Sequence, residues 1–140
     1  MDTAPFQQAA LALLGPKGFL TAPEDIASSL TDWRGLYHGK ACGLALPAST
    51  AEAAALIKLT AAFGIAVVPQ GGNTGLVGGQ IPIAQGEEIV LSLQRLDKVR
   101  AVDTDGDTMI VEAGVTLKRA QDAAEAAGRL FPLSLASEGS

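Results

Sequence analysis

The segment with the most distinctive chemistry is the glycine-rich loop PQGGNTGLVGG, from Pro69 to Gly79. It holds five of the chain's 16 glycines. Glycine costs conformational entropy on folding, so such a cluster requires a reason. Glycines let a backbone approach a ligand closely, and consecutive N–H groups in such a loop bind anions. Asn73 tolerates the positive φ that helps to shape the concavity. The loop therefore predicts an anion-binding site.

Two familiar phosphate-binding patterns are missing from this loop, since it contains neither G-x-x-x-x-G-K-[ST] nor G-x-G-x-x-G. Residues 59–94 include no Lys or Arg. A bound phosphate is therefore expected to meet backbone dipoles and the side chains of Asn73 and Thr74. A flexible surface loop is the alternative, although Leu76 and Val77 are unlike the polar residues of a linker.

The segments beside the loop predict a parallel sheet. GLALP and IAVVP are short apolar runs typical of strands, and STAEAAALIKLTAAFG between them is typical of a helix. Ser49 and Glu52 have capping-box spacing, and Gly64 is placed to end that helix. EIVLSL is a third strand candidate. Ligands of open α/β sheets bind beyond the carboxyl ends of the strands, where the glycine loop begins.

Helices are also expected on the N-terminal side. TAPFQQAALALLG predicts a helix that is capped by Thr3 and ended by Gly15. TAPEDIASSL predicts a second, shorter helix with a capping box formed by Thr21 and Glu24.

A hairpin and a helix are expected in the last third of the chain. KVRAVD and TMIVEAG flank TDGD, which is turn chemistry, so they predict two paired strands. TLKRAQDAAEAAG predicts a helix ending at Gly128, with Leu117, Ala120, Ala124 and Ala127 on one face.

Composition bounds the class of protein. Hydrophobic residues make up 48% of the 140 residues and charged residues 18%, which indicates a globular chain with a core. Aromatic residues are only 4%, so the core is expected to be mostly aliphatic. The net charge of −5 counts against a nucleic-acid partner and against an anionic membrane surface. No apolar run reaches the roughly 18 residues that span a bilayer.

The single cysteine, Cys42, cannot form an internal disulfide, which favours a reducing compartment. The N-terminus lacks the basic and apolar regions of a signal peptide. We therefore expect a cytoplasmic location, with a peripheral position at the inner membrane as the alternative.

Other reactive residue types point to structural roles. The only histidine, His38, has no cluster of metal ligands beside it, and Cys42 is expected to be a buried small hydrophobe. The spacing of Asp103–Asp107 resembles a calcium loop, but the required downstream Glu is missing, so we interpret it as a hairpin turn. Trp33 and Arg34 could clamp a carboxylate or phosphate, or form an ion pair beside a packed indole. We assign no catalytic residue and no metal ligand.

The glycine loop and several other segments of the sequence resemble a known family. The glycine loop resembles the pyrophosphate loop of FAD-linked oxidases of the vanillyl-alcohol-oxidase/PCMH superfamily, in the branch of D-lactate, glycolate and D-2-hydroxyglutarate dehydrogenases. DWRGLYHGKA, LALPASTAEAAALIKL, IVLSLQRLDKV, MIVEAGVTL and GRLFPLSLASEGS match in the same order. The resemblance covers nearly the whole chain from about Thr31.

The resemblance implies an α+β PCMH-type FAD-binding domain in which FAD lies between two subdomains. It divides the chain into an N-terminal helical segment (1–38), a first subdomain with a βαβ parallel sheet (39–98) and the start of a second subdomain (99–140). It places the amides of the glycine loop, with Asn73 and Thr74, on the pyrophosphate, and Glu138 near the flavin in a backbone-positioning role. The cofactor-binding residues that it implies are Pro69, Gln70, Gly71, Gly72, Asn73, Thr74, Gly75, Leu76, Gly78, Gly79, Gly114, Pro132, Leu133, Ala136, Gly139 and Ser140.

The activity implied by the resemblance is FAD-dependent oxidation of a D-2-hydroxy acid to the 2-keto acid. In the family, the substrate residues and the catalytic base lie beyond the segment that ends ASEGS, so we interpret the chain as an N-terminal part of a longer enzyme. On that interpretation the isolated chain is inactive, binds FAD weakly or not at all, and self-associates through an incomplete sheet edge. The alternative is a stand-alone module that binds a nucleotide or phosphate, or only partners, without catalysis. The sequence does not identify the hydroxy acid or the electron acceptor.

Overall fold

The computed structural model describes residues 2–83, 85–137 and 139, which form two sheets and four α-helices. In chain order the elements are α1 (Ala4–Leu14), β1 (Phe19–Leu20), α2 (Pro23–Ile26), a 3₁₀ turn (Ala27–Ser29), β2 (Gly43–Ala45), α3 (Thr50–Phe63), β3 (Ala66–Gln70), β4 (Glu88–Ser92), β5 (Val99–Asp103), β6 (Thr108–Val111) and α4 (Leu117–Ala126).

The larger sheet has the strand order β1-β2-β4-β3. Both β2 and β3 pair with β4 in parallel, so the predicted βαβ unit is confirmed, but its two strands are separated by β4. The central position of β4 follows from its residues, because four of its five side chains are buried. β1 pairs antiparallel with β2 and was not predicted, since two residues are too short to show a period.

The core lies on both faces of the larger sheet, as expected for parallel strands. Ile89 and Leu91 of β4 belong to a buried cluster with Phe6 of α1 and Leu56 of α3. Val90, between them in sequence, belongs to a separate cluster on the opposite face. This alternation is the two-residue period of a strand that is covered on both sides.

Aromatic rings are more central than the composition suggested. The Phe6 ring is fully buried and meets the Phe19 ring edge-on, with centroids 5.9 Å apart and an interplanar angle of 86°. The Phe63 ring contacts Phe6 at the same centroid distance of 5.9 Å. The core is mostly aliphatic, as expected, and its few aromatics are concentrated where α1 packs against α3 and β1.

The N-terminus of α3 has the predicted cap. The Ser49 hydroxyl accepts from the Glu52 N–H at 3.1 Å, and the Glu52 carboxylate accepts from the Ala48 N–H at 2.7 Å. At the other end Gly64 has φ 68°, the left-handed conformation that ends helices.

The caps predicted for α1 and α2 are wrong. Thr3 already has helical dihedrals and its hydroxyl makes no cap bond, so the Asp2 carboxylate accepts from the Ala4 N–H instead, at 3.0 Å. The residue before α2 is Ala22, and no side chain caps that helix. A single turn of helix that continues as 3₁₀ leaves no place for the box expected from Thr21.

The predicted hairpin and last helix are confirmed. β5 and β6 pair antiparallel, and Asp103 Oδ1 accepts from the N–H groups of Asp105 and Gly106 in the turn. The described residues include no group of three or more His, Cys, Asp or Glu placed to hold a metal. On α4, Ala120 and Ala124 are buried, as the sequence predicted.

A buried carboxylate organises the loop from Thr31 to His38. Asp32 is only 2% exposed, and its Oδ1 accepts from the N–H groups of Leu36 and Tyr37, both at 2.7 Å. The Tyr37 hydrogen bond is the main cause that lowers the pKa of Asp32, and burial opposes it. Further N–H donors and the Arg34 guanidinium lower it as well. The Asp32 carboxylate thus satisfies backbone N–H groups of this loop and holds the loop in one conformation.

Replacing Ser49 by Ala is expected to lower the free energy of unfolding by about 1 kcal/mol, because one N–H at the start of α3 loses its acceptor. Thr3→Ala is the matched control, since the Thr3 hydroxyl makes no cap bond, and it is expected to change stability by less than about 0.5 kcal/mol. Urea unfolding followed by circular dichroism measures both. Equal losses in the two variants would contradict the assigned cap.

Asp32→Asn is expected to lower the Tm above pH 4 and to reduce the acid sensitivity of the fold. The native pKa of Asp32 lies below its ordinary value, so its contribution is present above about pH 4 and is lost as pH falls through the native pKa. Tm is measured from pH 2 to 7 for the wild type, Asp32→Asn and Asp105→Asn, an exposed hairpin control. Parallel Tm curves for Asp32→Asn and the wild type would exclude this role.

Candidate functional site

The two ends of the glycine loop are joined by one buried side chain. Gln70, only 5% exposed, donates from Nε2 to the carbonyl of Gln80 at 2.9 Å and to that of Ser29 at 3.0 Å. Its own carbonyl accepts from the Leu93 N–H at 3.0 Å, just beyond β4. Gln70 therefore closes the loop and fixes it to the sheet.

Asn73 attaches the tip of the loop to the segment after α2. Its φ is 56°, the positive value that the sequence analysis considered for this residue. Its Nδ2 donates to the carbonyls of Ser28 and Thr31 at 3.1 and 2.8 Å. Both amide hydrogens are thus engaged within the chain. Its Oδ1 is buried and has no hydrogen-bond partner among the described residues.

The loop around Asp32 braces the outer part of the glycine loop. Arg34 donates from Nη2 to the carbonyl of Leu76, and its Nε lies 3.8 Å from Asp32 Oδ2. The Trp33 indole is 67% exposed, with the Arg34 Cζ 6.0 Å from its centroid. The sequence analysis offered an ion pair of Arg34 beside a packed Trp33 indole as one alternative. The ion pair, with Asp32, is confirmed, and the prediction of a packed indole is wrong.

A cleft of about 410 Å³ opens between the start of the glycine loop and the first turn of α4. Four segments that are distant in sequence form its walls: the start of the glycine loop, the connection from β4 to β5, the connection from β6 together with the first turn of α4, and Gly139. The lining residues are Gly71, Gly72, Gln94, Asp97, Ala113, Gly114, Val115, Thr116, Arg119 and Gly139.

Gly114 and Gly71 are glycines for different reasons. A Cβ on Gly114 would lie 1.9 Å from the Leu93 carbonyl oxygen, so this position is required by a close approach of two backbones. A Cβ on Gly71 would meet nothing within 4 Å. Neither residue has the positive φ that favours glycine. Among the described residues nothing requires glycine at position 71, which lines the cleft.

The predicted site residues fall into three groups. Gly71, Gly72, Gly114 and Gly139 line the cleft. Gln70 is a buried brace, and the rest of the loop lies outside the cleft lining, with Thr74, Gly75, Leu76 and Gly79 exposed and Asn73 and Gly78 half-buried. Pro69, Pro132, Leu133 and Ala136 are exposed and do not line it. Ser140, like Glu138, lies outside the described residues.

Several lining residues escaped the sequence analysis, and the most informative of them is Arg119. It lies in the first turn of α4, its side chain is 50% exposed, and its Nη1 donates to Asp97 Oδ2, which is 48% exposed. The Thr116 hydroxyl caps this helix by accepting from the Arg119 N–H at 3.3 Å. No local pattern joins position 119 to the glycine loop, because only the hairpin's return brings α4 there.

A second carboxylate fixes the base of the β5–β6 hairpin. Glu112 Oε2 accepts from the Lys98 N–H at 3.0 Å, and Oε1 accepts from Arg100 Nη2 at 3.0 Å. The Lys98 hydrogen bond is the main cause that lowers the pKa of Glu112, with Arg100 adding to it. Arg100 also donates to Thr50 Oγ1 at 2.7 Å, which links β5 to α3.

His38 and Cys42 have the structural environments that the sequence predicted. The imidazole Nδ1 of His38 lies 3.1 Å from Thr31 Oγ1, and Nε2 lies 2.9 Å from the Gly35 carbonyl oxygen. Cys42 is buried in the main core cluster, and burial raises the pKa of its thiol. Neither residue lines the cleft.

Curated relatives share sequence with most of this chain. It is 36% identical over 129 residues to a protein named probable D-2-hydroxyglutarate dehydrogenase, mitochondrial, from Oryza sativa subsp. indica, covering 92% of this chain and 23% of the relative. It is 40% identical over 116 residues to the D-2-hydroxyglutarate--pyruvate transhydrogenase of Saccharomyces cerevisiae, covering 83% of this chain and 23% of that one. A Xanthomonas citri pv. viticola D-2-hydroxyglutarate dehydrogenase is 37% identical, covering 86% of this chain and 25% of the relative.

The chain thus spans about a quarter of the length of these relatives. Their names support the oxidoreductase class expected from the sequence. Several are called mitochondrial, so the cytoplasmic location expected above has no support from them. No helix among the described residues is long and apolar enough to cross a bilayer.

Solved structures share the fold at low sequence identity. An alkyldihydroxyacetonephosphate synthase matches with a TM-score of 0.79 and 19% identity, covering 89% of this chain and 25% of that one. p-Cresol methylhydroxylase matches with a TM-score of 0.76 and 19% identity, covering 89% and 24%. These likenesses confirm the PCMH-type α+β fold that the sequence resemblance implied.

The family that matches this chain is described as an FAD binding domain, and the match covers residues 42–140. That range contains both the glycine loop and every other segment that lines the cleft. The chain belongs to the FAD binding domain family, and FAD is the cofactor of that family.

Proposed function

We propose that these 140 residues form one part of the FAD site of a dehydrogenase that oxidises a D-2-hydroxy acid to the 2-keto acid. The observation that carries the proposal is the cleft between the glycine loop and the β6–α4 connection, where Gly71 leaves space that no described residue fills. In this proposal the cofactor's diphosphate lies against Gly71 and Gly72, and Gly114 and Gly139 line the same cleft.

The residues present fit such a group. Backbone N–H groups beside a glycine without a close neighbour can approach a phosphate closely, and they carry no net charge to desolvate. Asn73 lies in the same loop but does not line the cleft, and its Oδ1 is buried with no hydrogen-bond partner among the described residues. Because both hydrogens of its amide are engaged, we assign Asn73 the shaping of the loop and not donation to phosphate.

The remaining implied residues have supporting roles in the proposal. Gln70 and Pro69 set the exit of β3, while the outer loop and the tail contact more distant parts of FAD; these are Thr74, Gly75, Leu76, Gly78, Gly79, Pro132, Leu133, Ala136 and Ser140. The proposed division at residue 98 places Asp97 and Arg119 in different subdomains. Self-association through the β5–β6 edge stays a prediction, supported by the exposed side chain of Ile110.

The substrate class comes from the names of the relatives. Most of those named are D-2-hydroxyglutarate dehydrogenases, and one from Schizosaccharomyces pombe is called a putative D-lactate dehydrogenase. Bound FAD supplies the two-electron chemistry as acceptor of the substrate's hydride, and the residues described here bind and orient it. We assign the proton transfer to no residue of this chain.

Gly71→Ala is expected to weaken FAD binding about tenfold while the Tm stays close to that of the wild type, because its methyl group enters the space reserved for the cofactor. Gly114→Ala is expected to lower the free energy of unfolding by about 1–3 kcal/mol, because its Cβ would overlap the Leu93 carbonyl. Flavin fluorescence titration and thermal unfolding measure the two effects. Normal FAD binding by Gly71→Ala would remove position 71 from the site.

The function itself is tested on the product of the complete reading frame. We expect a yellow protein whose flavin is bleached without oxygen by D-2-hydroxyglutarate or D-lactate and not by the L enantiomers. Glycolate is the achiral comparison, and the isolated 140 residues are expected to bind FAD at least tenfold more weakly.

Absence of flavin in the complete protein, with no binding on titration, would favour the module that binds another phosphate ligand. A flavin that none of the three hydroxy acids reduces would leave the FAD site standing and exclude this substrate class.

A further inference from the structure

The cofactor cleft contains one cation that the glycine loop does not supply. Residues 59–94 include no Lys or Arg, yet the diphosphate of FAD carries two negative charges. Arg119 lines the same cleft as Gly71 and Gly72, although it is far from them in sequence. Its side chain is half-exposed, so a bound anion can reach the guanidinium without moving the backbone.

Asp97 holds this guanidinium in place in the described structure. The pair uses the Nη1 donor of Arg119, and a guanidinium has five N–H donors, so donors remain for a second anion. Both side chains are about half-exposed, and ion pairs of that kind are weak because water screens them. A diphosphate that also receives backbone N–H groups is the better partner, since it offers more negative charge and several acceptor oxygens.

We propose that Arg119 is a binding residue for the cofactor's diphosphate. In this proposal Asp97 holds the Arg119 guanidinium at the cleft and competes with the diphosphate for that guanidinium. This inference rests on the proposed function, because it assumes that FAD occupies the cleft. It adds a cation from α4 to a site whose other wall is uncharged backbone. Asp97 has the opposite effect, since its carboxylate lies in the same cleft as an anionic ligand and repels it.

The two residues therefore have opposite effects on affinity. Arg119→Gln is expected to raise the Kd for FAD about tenfold, the size of one charge-assisted hydrogen bond. Asp97→Asn is expected to lower the Kd, because the guanidinium becomes available and one repulsive charge is lost. Lys118→Gln is the matched control, since it removes one positive charge from the residue that precedes Arg119 in α4. The Lys118 ammonium pairs with Asp122, and Lys118 does not line the cleft.

The experiment is a flavin fluorescence titration of the complete reading frame's product, as apoprotein, with FAD and with riboflavin, which has no phosphate. The expected result is a weaker FAD affinity for Arg119→Gln alone, with riboflavin affinity equal in all four proteins. Thermal unfolding of the apoproteins shows whether each variant is folded.

Each other outcome is decisive. A wild type that binds no FAD would overturn the proposed function and this inference with it. If the wild type binds FAD and Arg119→Gln binds it equally tightly, only this inference is overturned. It would also be overturned if Arg119→Gln lost riboflavin and FAD equally, or if Asp97→Asn weakened FAD binding as much as Arg119→Gln, since the pair would then act only as a structural link.

Discussion

The Gly114 N–H donates to the Leu96 carbonyl at 2.8 Å, and the cleft depends on this contact. It brings the end of β6 against the chain that leaves β4, so closely that no side chain fits at position 114. Glu112 strengthens the same junction by accepting from Lys98 and Arg100. With this junction fixed, the first turn of α4 faces the start of the glycine loop. Without it, the two walls of the cleft would have no defined separation.

Three polar side chains give the irregular segments a fixed shape. Asp32 and Gln70 are almost fully buried, and together with Asn73 they bond mainly to backbone groups of loops that have no ladder partners. Buried polar groups are costly unless they are paired, so these bonds specify one loop conformation over its alternatives. A loop that is already ordered loses less entropy when a ligand binds. The glycines thus permit a ligand to approach the backbone closely, and the three polar side chains hold the glycine-rich backbone in one conformation.

The elements that the sequence predicted well have local causes. The Ser49 cap, the hairpin turn at Asp103 and the buried run of β4 each depend on residues within a few positions of one another. The same local reasoning failed at Thr3, where a residue one position earlier supplies the cap. It also missed β1, which is a strand only because β2 lies beside it.

The candidate site divides in the same way. The glycine loop was predictable because its composition is unusual along the chain itself. Arg119 was not, because its place in the cleft results from the return of the hairpin and from the contact at Gly114, which join segments that are far apart in sequence. Of the tail residues that the resemblance implied, only Gly139 is among the described residues that line the cleft, and Pro132 and Leu133 are exposed.

The charge distribution indicates how an acidic chain can bind an anionic cofactor. The net charge is −5, and among the described lining residues Arg119 and Asp97 neutralise each other. Long-range attraction therefore contributes little to the encounter, and affinity must come from short-range groups. Backbone N–H groups suit this requirement, because their dipoles act only on a ligand that is already in contact. An arginine that is paired until contact adds its charge at the same short range, so the cleft discriminates by fit and not by net charge.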